Sequence, residues 1–224
     1  MSKVAQARPG AGRGSSELAL IYAAERLFAE QGIAGVSLRQ INQAANQKNI
    51  SAAHYHFGSR DGLVYAVLEH RWLDLDFRRR QLLDAEGGDR NLRFYVEVMI
   101  VTLADELKPR PEGNHYLRFI QQYERYGDSY ALARSLSPAG VEIYDRIEAN
   151  LADLPAAIRT IRMRYLINVV HGVLAMAEHQ LNTGELNSDG VPLIASNLVD
   201  MVTAALSAPP SRQTTGMLDT RQPG

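Results

Sequence analysis

Apolar residues in this chain recur every three or four positions, and they do so from about residue 15 to about residue 207. That spacing gathers them on one face of an α-helix; a half-buried strand would need strict alternation, which is missing. No internal repeat is evident, which argues against a solenoid. The pattern therefore predicts an all-α fold of about nine helices.

Start and stop signals divide it. A first helix begins near Ser15 or Ser16, carries Ile21, Ala24, Leu27 and Phe28 inward, and meets Gly32 where a left-handed C-terminal cap is wanted. Ser37-Leu38-Arg39-Gln40 reads as a capping box opening a second helix. The polar run Asn46–Asn49 interrupts it, and a short third helix follows from about Ile50 to His56. Ser59 caps a fourth that continues to Leu83 and ends before Gly87-Gly88. Five more are expected at about Asn91–Glu106, Asn114–Tyr126, Pro138–Leu151, Pro155–Leu181 and Pro192–Leu206. Arg78-Arg79-Arg80 reads as a solvated helix end.

Composition narrows the class. The apolar fraction of 46% can fill a core, and the absence of cysteine excludes disulfides, thiol redox chemistry and cysteine-ligated metal. A reducing cytoplasm suits such a chain. No apolar run of 18–20 residues or signal-peptide core stands out, so no membrane partner is expected. Residues 1–80 hold 11 Lys/Arg against 7 Asp/Glu, and residues 81–224 hold 13 against 18. A basic front and an acidic back suit a DNA-reading head on a body that does not touch DNA. Four parts are expected: a disordered arm at 1–14, a helix-turn-helix domain at 15–62, a ligand-binding and dimerisation domain at 63–207, and a disordered tail at 208–224.

Two short helices joined by a polar turn, with a third before them, make a helix-turn-helix. Small and polar side chains at the second helix let the backbone approach a major groove. Here that helix offers Ser51, Ala52, His54 and Tyr55, with Gln47, Lys48 and Asn49 at its entrance. Gln and Asn can pair with adenine, and Lys can reach guanine or phosphate. His54 and His56 lie two apart and point in different directions on a helix, so no metal is expected there.

The surrounding residues are more specific. Leu38-Arg39-Gln40-Ile41-Asn42-Gln43-Ala44-Ala45, then Tyr55-His56-Phe57-Gly58-Ser59-Arg60-Asp61-Gly62-Leu63, strongly resemble the TetR/AcrR family of repressors, as does the lead-in Ala23–Gly32. The resemblance covers about residues 15–70. It implies that Tyr55 and His56 contact phosphate or base edges, that Phe57 closes the recognition helix on its core, and that Arg60 meets a phosphate. The turn Ala45–Asn49 is one residue longer than the family's usual one.

The same resemblance implies a homodimer on double-stranded operator DNA, with a small-molecule effector of unknown identity in the C-terminal domain. The last two helices carry ample apolar stripes: Leu166, Val169, Val170, Val173 and Leu174 in one, Ile194, Leu198, Met201 and Val202 in the other. Their surplus suggests pairing with a second copy as a four-helix bundle. Effector-binding candidates are Tyr95, Met99, Phe119 and Tyr123, with Tyr144, Asn168 and His171. That mixture suits an apolar or aromatic molecule, and no cofactor is expected. A DNA-bound protein of the same fold, acting through a protein partner without an effector, is the alternative. His171, Glu178 and His179 share a helix but show no HExxH spacing, nor is there a nucleophile elbow or phosphate loop, so an enzyme is not expected.

Overall fold

The computed structural model describes residues 13–49, 51–85, 89–124 and 129–219. Every regular element among them is helical. The order is α1 (Ser15–Gln31), α2 (Leu38–Ala44), α3 (Ala52–Phe57), α4 (Arg60–Asp84), α5 (Leu92–Ala104), α6 (Tyr116–Tyr123), α7 (Ser129–Leu136), α8 (Pro138–Ala149), α9 (Ala156–Thr183), α10 (Val191–Ser207) and α11 (Arg212–Asp219).

Most caps behave as their residues dictate. Ser37 Oγ accepts from Gln40 N at 3.3 Å, and Gln40 Oε1 accepts from Ser37 N at 2.9 Å. Ser59 Oγ accepts from Gly62 N and Asn91 Oδ1 from Phe94 N. α1 differs: neither serine caps it, and the Glu17 carboxylate instead accepts from Gly14 N at 3.2 Å. Gly32 has the expected positive φ of 77° but an extended ψ of 151°, so α1 exits without a left-handed turn. Arg13, expected in the disordered arm, forms an ion pair with Glu69 on α4. Residues 1–12 and Gly87-Gly88 lie outside the described residues.

Two helices were not foreseen. α7 is only eight residues long, and the approach to it lies outside the described residues, as does Tyr126. α11 occupies part of the segment expected to be a disordered tail: Ser211 Oγ accepts from Thr214 N at 3.2 Å, so Pro209-Pro210 precede a helix rather than end order. The expected lack of a long apolar run also needs correction. Ser188–Ser207, 20 residues long, has the length of a membrane span and an 18-residue window of mean hydropathy 1.4. Here Ala195, Leu198, Val199, Val202 and Leu206 are buried, and α10 packs on α5 and α9.

Two packing layers matter for function. α1 to α3 form a small head around Leu20, Phe28, Ile41 and Ala53, all fully buried. α1 also lies on α6, which lies on α9, so the head is built onto the body. No break falls at residues 62–63, because α4 runs unbroken from the head into the body. Phe28 of α1 stacks on Phe119 of α6 at 6.0 Å, and Phe119 on Tyr123 at 6.4 Å.

The apolar stripes of α9 and α10 are split between two faces. Leu166, Val170 and Leu174 are buried, as are Leu198 and Val202, and Val173 is half-buried. Ile161, Tyr165, Val169 and Met176 of α9 stand outward, with Leu193 and Met201 of α10, each 47–74% exposed.

Candidate functional site

The head's geometry rests on three residues whose roles are mechanical. The Asn42 amide, buried in α2, accepts through Oδ1 from Ala53 N at 2.9 Å and so pins the two helices of the hairpin together. Gly58 ends α3 with φ 71°, a conformation side chains rarely adopt. A Cβ on Gly62 would lie 2.1 Å from the Phe57 carbonyl oxygen, so only glycine lets α4 start so close to the end of α3. These needs give the run from Tyr55 to Leu63 its physical content.

With the hairpin so fixed, α3 turns a polar face outward. Lys48, Asn49, Ser51, His54, Tyr55 and His56 are exposed, Tyr55 at 81%. Asn49 Oδ1 accepts from Ser51 N at 2.9 Å, and His56 Nδ1 lies 3.3 Å from Glu17. Two candidates stand apart. Ala52 is buried in the head's core, because α3 begins there with its first turn facing inward, and it offers no side chain to a groove. Gln47 is half-buried; its Oε1 accepts from Ser16 Oγ at 2.7 Å and its Nε2 donates to the Ala45 carbonyl at 3.2 Å. The long turn closes with Asn46 at φ 52°. Arg60 folds back toward the head, its Nη1 donating to the Ala34 carbonyl at 3.1 Å.

The body holds a cavity of about 350 Å³ beside α4. Of the seven candidates for it, Met99, Tyr144, Asn168 and His171 line it. Tyr95, Phe119 and Tyr123 do not; they are buried in helix contacts, Tyr95 against Phe94 and the other two in the aromatic stack under α1. Spacing alone could not tell a wall from a core position, because both are apolar and inward. Tyr116 and Met163 also line the cavity, as do Trp72 and Arg79, which were missed. Trp72 and Arg79 are seven residues apart on α4, hence on one face. Trp72 Nε1 donates to the Tyr116 hydroxyl at 3.1 Å, and burial pushes that phenol's pKa well up. His171 Nδ1 lies 2.6 Å from Glu124 Oε1, whereas Glu178 is fully buried elsewhere and His179 is exposed. The triple on α9 is thus not brought together. A separate cleft of about 360 Å³ runs between α5 and α10, with Val101, Pro192 and Val199 among its walls.

The three arginines expected at a solvated helix end take three different partners. Arg78 pairs with Glu106 and, at 3.2 Å, with Asp74; Arg80 pairs with Glu142 at 2.8 Å; Arg79 turns into the cavity. The reason is that α5 and α8 pack across this end of α4 and cover it.

Head and body meet through charge. Arg71 of α4 is 4% exposed, and its Nε and Nη2 donate to the two oxygens of Glu25 on α1 at 2.6 and 2.7 Å. Glu106, also buried, accepts from Arg71 at 3.4 Å and from Arg110 at 2.8 Å. Burial works against the Arg71 charge, but the contact with Glu25 outweighs it and raises the pKa. A pair this complete binds α1 to α4 in one geometry.

The description "Bacterial regulatory proteins, tetR family" matches residues 20–67. Residues 20–67, from α1 into α4, are thus similar to the head of tetR-family regulators. An HTH-type transcriptional repressor of Mycobacterium tuberculosis and an HTH-type transcriptional regulator of Mycobacterium bovis are each 44% identical to it over 59 residues. The match spans 26% of this chain and 31% of theirs, about a third of the relatives' length. Solved structures extend the likeness to the whole fold. A TetR-like regulator from Rhodococcus sp. RHA1 has a TM-score of 0.57 at 16% identity, covering 88% of this chain and 98% of that one. AmtR of Mycobacterium smegmatis has 0.53 at 18%, covering 95% and 98%. NalD of Pseudomonas aeruginosa, the secondary repressor of the MexAB-OprM multidrug efflux pump, has 0.51 at 21%, covering 84% and 94%.

Proposed function

We propose that this chain is a tetR-family transcriptional repressor that binds a palindromic operator as a homodimer and leaves it when a small apolar or aromatic molecule fills the body cavity. The observation that carries this reading is α4. One unbroken helix holds Arg60 beside the recognition helix, Arg71 at the joint with α1, and Trp72 and Arg79 in the cavity wall. A ligand that moves the cavity end of α4 must move the head with it.

Release requires differential binding, since a ligand that fits both states equally shifts nothing. Two heads on a rigid dimer match half-sites about 34–36 Å apart, and a tilt of α4 changes that separation. A coupling of about 1–3 kcal/mol, or about 5- to 150-fold in affinity, is typical. The outward stripe of Ile161, Tyr165, Val169, Met176, Leu193 and Met201 is the surface proposed for the dimer. DNA contacts are assigned to Lys48, Asn49, Ser51, His54, Tyr55 and His56, with Arg60 on the backbone.

The test is fluorescence anisotropy on duplexes from the region upstream of the chain's own gene, alongside sedimentation. A dimer binding a palindrome supports the reading, and a monomer at micromolar concentration defeats it. Met99→Trp fills the cavity, and should block an inducer while leaving operator affinity unchanged. If no small molecule weakens operator binding and the cavity stays empty in a broad thermal-shift screen, the alternative of a DNA-bound protein acting through a protein partner takes over.

A further inference from the structure

Arg79 has no carboxylate in direct contact; Asp76 and Glu106 act on its charge only from a distance. Its guanidinium is enclosed between α4, α5 and α8, and its hydrogen bonds go to two neutral hydroxyls, Thr102 Oγ1 at 3.3 Å and Ser137 Oγ at 3.2 Å. Both hydroxyl protons are already engaged. Thr102 donates to the Val98 and Met99 carbonyls, and Ser137 donates to Asp76. Among the described residues no carboxylate lies within 4 Å of Arg79. The nearby acids are engaged elsewhere. Asp76 Oδ1 accepts from Ala139 N at 2.7 Å and Gly140 N at 3.3 Å at the start of α8, and Glu106 is shared by Arg71, Arg78 and Arg110.

The surroundings make room for this cation. A Cβ on Gly140 would sit 2.6 Å from Arg79 Nη1, so glycine there leaves the guanidinium its place. Burial without an ion pair pulls the pKa of Arg79 down, the opposite of Arg71. The other charged groups on the wall are Arg164, exposed on α9, and Glu124, whose Oε1 already faces His171 Nδ1. Apolar and aromatic side chains make up much of the remaining lining: Trp72, Met99, Leu103, Ile120, Met163 and Ile167.

We propose that the effector is an amphipathic carboxylate, its apolar body against Trp72 and Met163 and its carboxylate on Arg79. This rests on the effector reading above and names the ligand's class. A guanidinium presents parallel N–H donors that match a carboxylate's two oxygens, and such a pair gains most where water is excluded. Glu124 would instead favour an amine, which makes the sign of the ligand's charge the deciding variable.

Trp72 is the chain's single tryptophan and lines the cavity, so its fluorescence reports occupancy directly. The probes are two acid–alcohol pairs matched in body, 2-naphthoate with 2-naphthylmethanol and decanoate with decanol, and decylamine against both decyl compounds. Titrations of the full chain at pH 7.5 should give at least tenfold tighter binding of each acid than of its alcohol, and weakest binding of the amine. Arg79→Met should abolish the preference by weakening the acids while leaving the alcohols within about twofold. Arg79→Lys, which keeps charge but loses the fork, should fall between. If Arg79→Met fails to fold, the acid-to-alcohol ratio in the unmodified chain still decides. Alcohols binding as well as acids, or the amine binding best, would overturn the carboxylate while leaving the cavity as an effector site. An acid preference that survives in a folded Arg79→Met would move the carboxylate off Arg79. Binding of none of the probes would defeat both the carboxylate and the cavity reading.

Discussion

Two arginines on α4, eight residues apart, live in opposite electrostatic worlds. Arg71 sits at the joint between head and body with both oxygens of Glu25 on its guanidinium and Glu106 beside it. Arg79 sits at the cavity wall with two hydroxyls. The first arrangement is complete in itself and has nothing to offer a ligand. The second leaves a cation whose best partner is missing from the fold. Within one helix, the difference separates a residue that holds the structure from one that waits for something to bind.

The largest effect should come from breaking the complete pair. Arg71→Met leaves Glu25 buried with its cation gone, while Glu106 keeps Arg78 and Arg110, and the loss of one partner from a buried pair costs about 3–5 kcal/mol. Arg79→Met removes a half-buried charge that has no direct ion-pair partner, so the unliganded protein should change by no more than about 1 kcal/mol and could gain stability. Urea denaturation of both variants measures the contrast. Equal losses in the two would show that Arg79 is as structural as Arg71.

A buried carboxylate offers a second way to sharpen it. Glu178 of α9 is fully buried and accepts from Leu117 N at 2.9 Å and Arg118 N at 3.0 Å, at the first turn of α6. Burial raises its pKa to about 7 against the lowering effect of those two N–H groups. A folded pKa above the unfolded one means stability that is full below about pH 4.5 and is lost as pH rises through about 7. Relative to Glu178→Gln, the parent should therefore lose on the order of 3 kcal/mol between those limits. Denaturation of both proteins at pH 5 and pH 7.5 reads the difference. A gap that does not change with pH would mean that the two N–H groups hold Glu178 ionised throughout, a second complete arrangement beside that of Arg71.

At the DNA face the expected effects are smaller. Lys48 is exposed and makes no hydrogen bond among the described residues, whereas Gln47 is tied to Ser16 and Ala45. Lys48→Ala should cost about 1–3 kcal/mol of discrimination if it reads a base. Gln47→Ala should act mainly through the shape of the turn, so its loss should be similar on specific and nonspecific duplexes. Anisotropy titrations against both kinds of duplex separate the two outcomes.

Legibility in the sequence followed the same division. The head could be read because its requirements are local: Ser37 and Gln40 cap within one turn, and Gly58 and Gly62 answer to backbone sterics within five residues. Helix number and order in the body were largely readable for the same reason, apart from the short α7 and the serine-capped α11. The cavity was not. Whether Phe119 packs on Phe28 or faces a void depends on how α1 crosses α6, which no local pattern contains. Arg79 was lost in a run of three arginines because the helices that enclose it come from residues 92–104 and 138–149. Partners distant in sequence decide which charge is buried, and periodicity is silent on them.

Arg60 gives the comparison its finest test, because it is a third arginine on α4 facing only a neutral oxygen. Its Nη1 donates to the Ala34 carbonyl, and Nε is buried with no hydrogen-bond partner among the described residues. By the logic of Arg79 it too should meet an anion, and at the head that anion is a DNA phosphate. Arg60→Ala should then weaken binding to every sequence alike and flatten the dependence of log K on log salt by about one unit, since one fewer counterion is released. Arg60→Lys should restore the slope without the contact to Ala34. The alternative is that Arg60 serves only to fasten residues 33–37 to α4. In that case Arg60→Ala lowers stability but leaves the salt slope unchanged, and the partnerless arginines of α4 would not share one purpose.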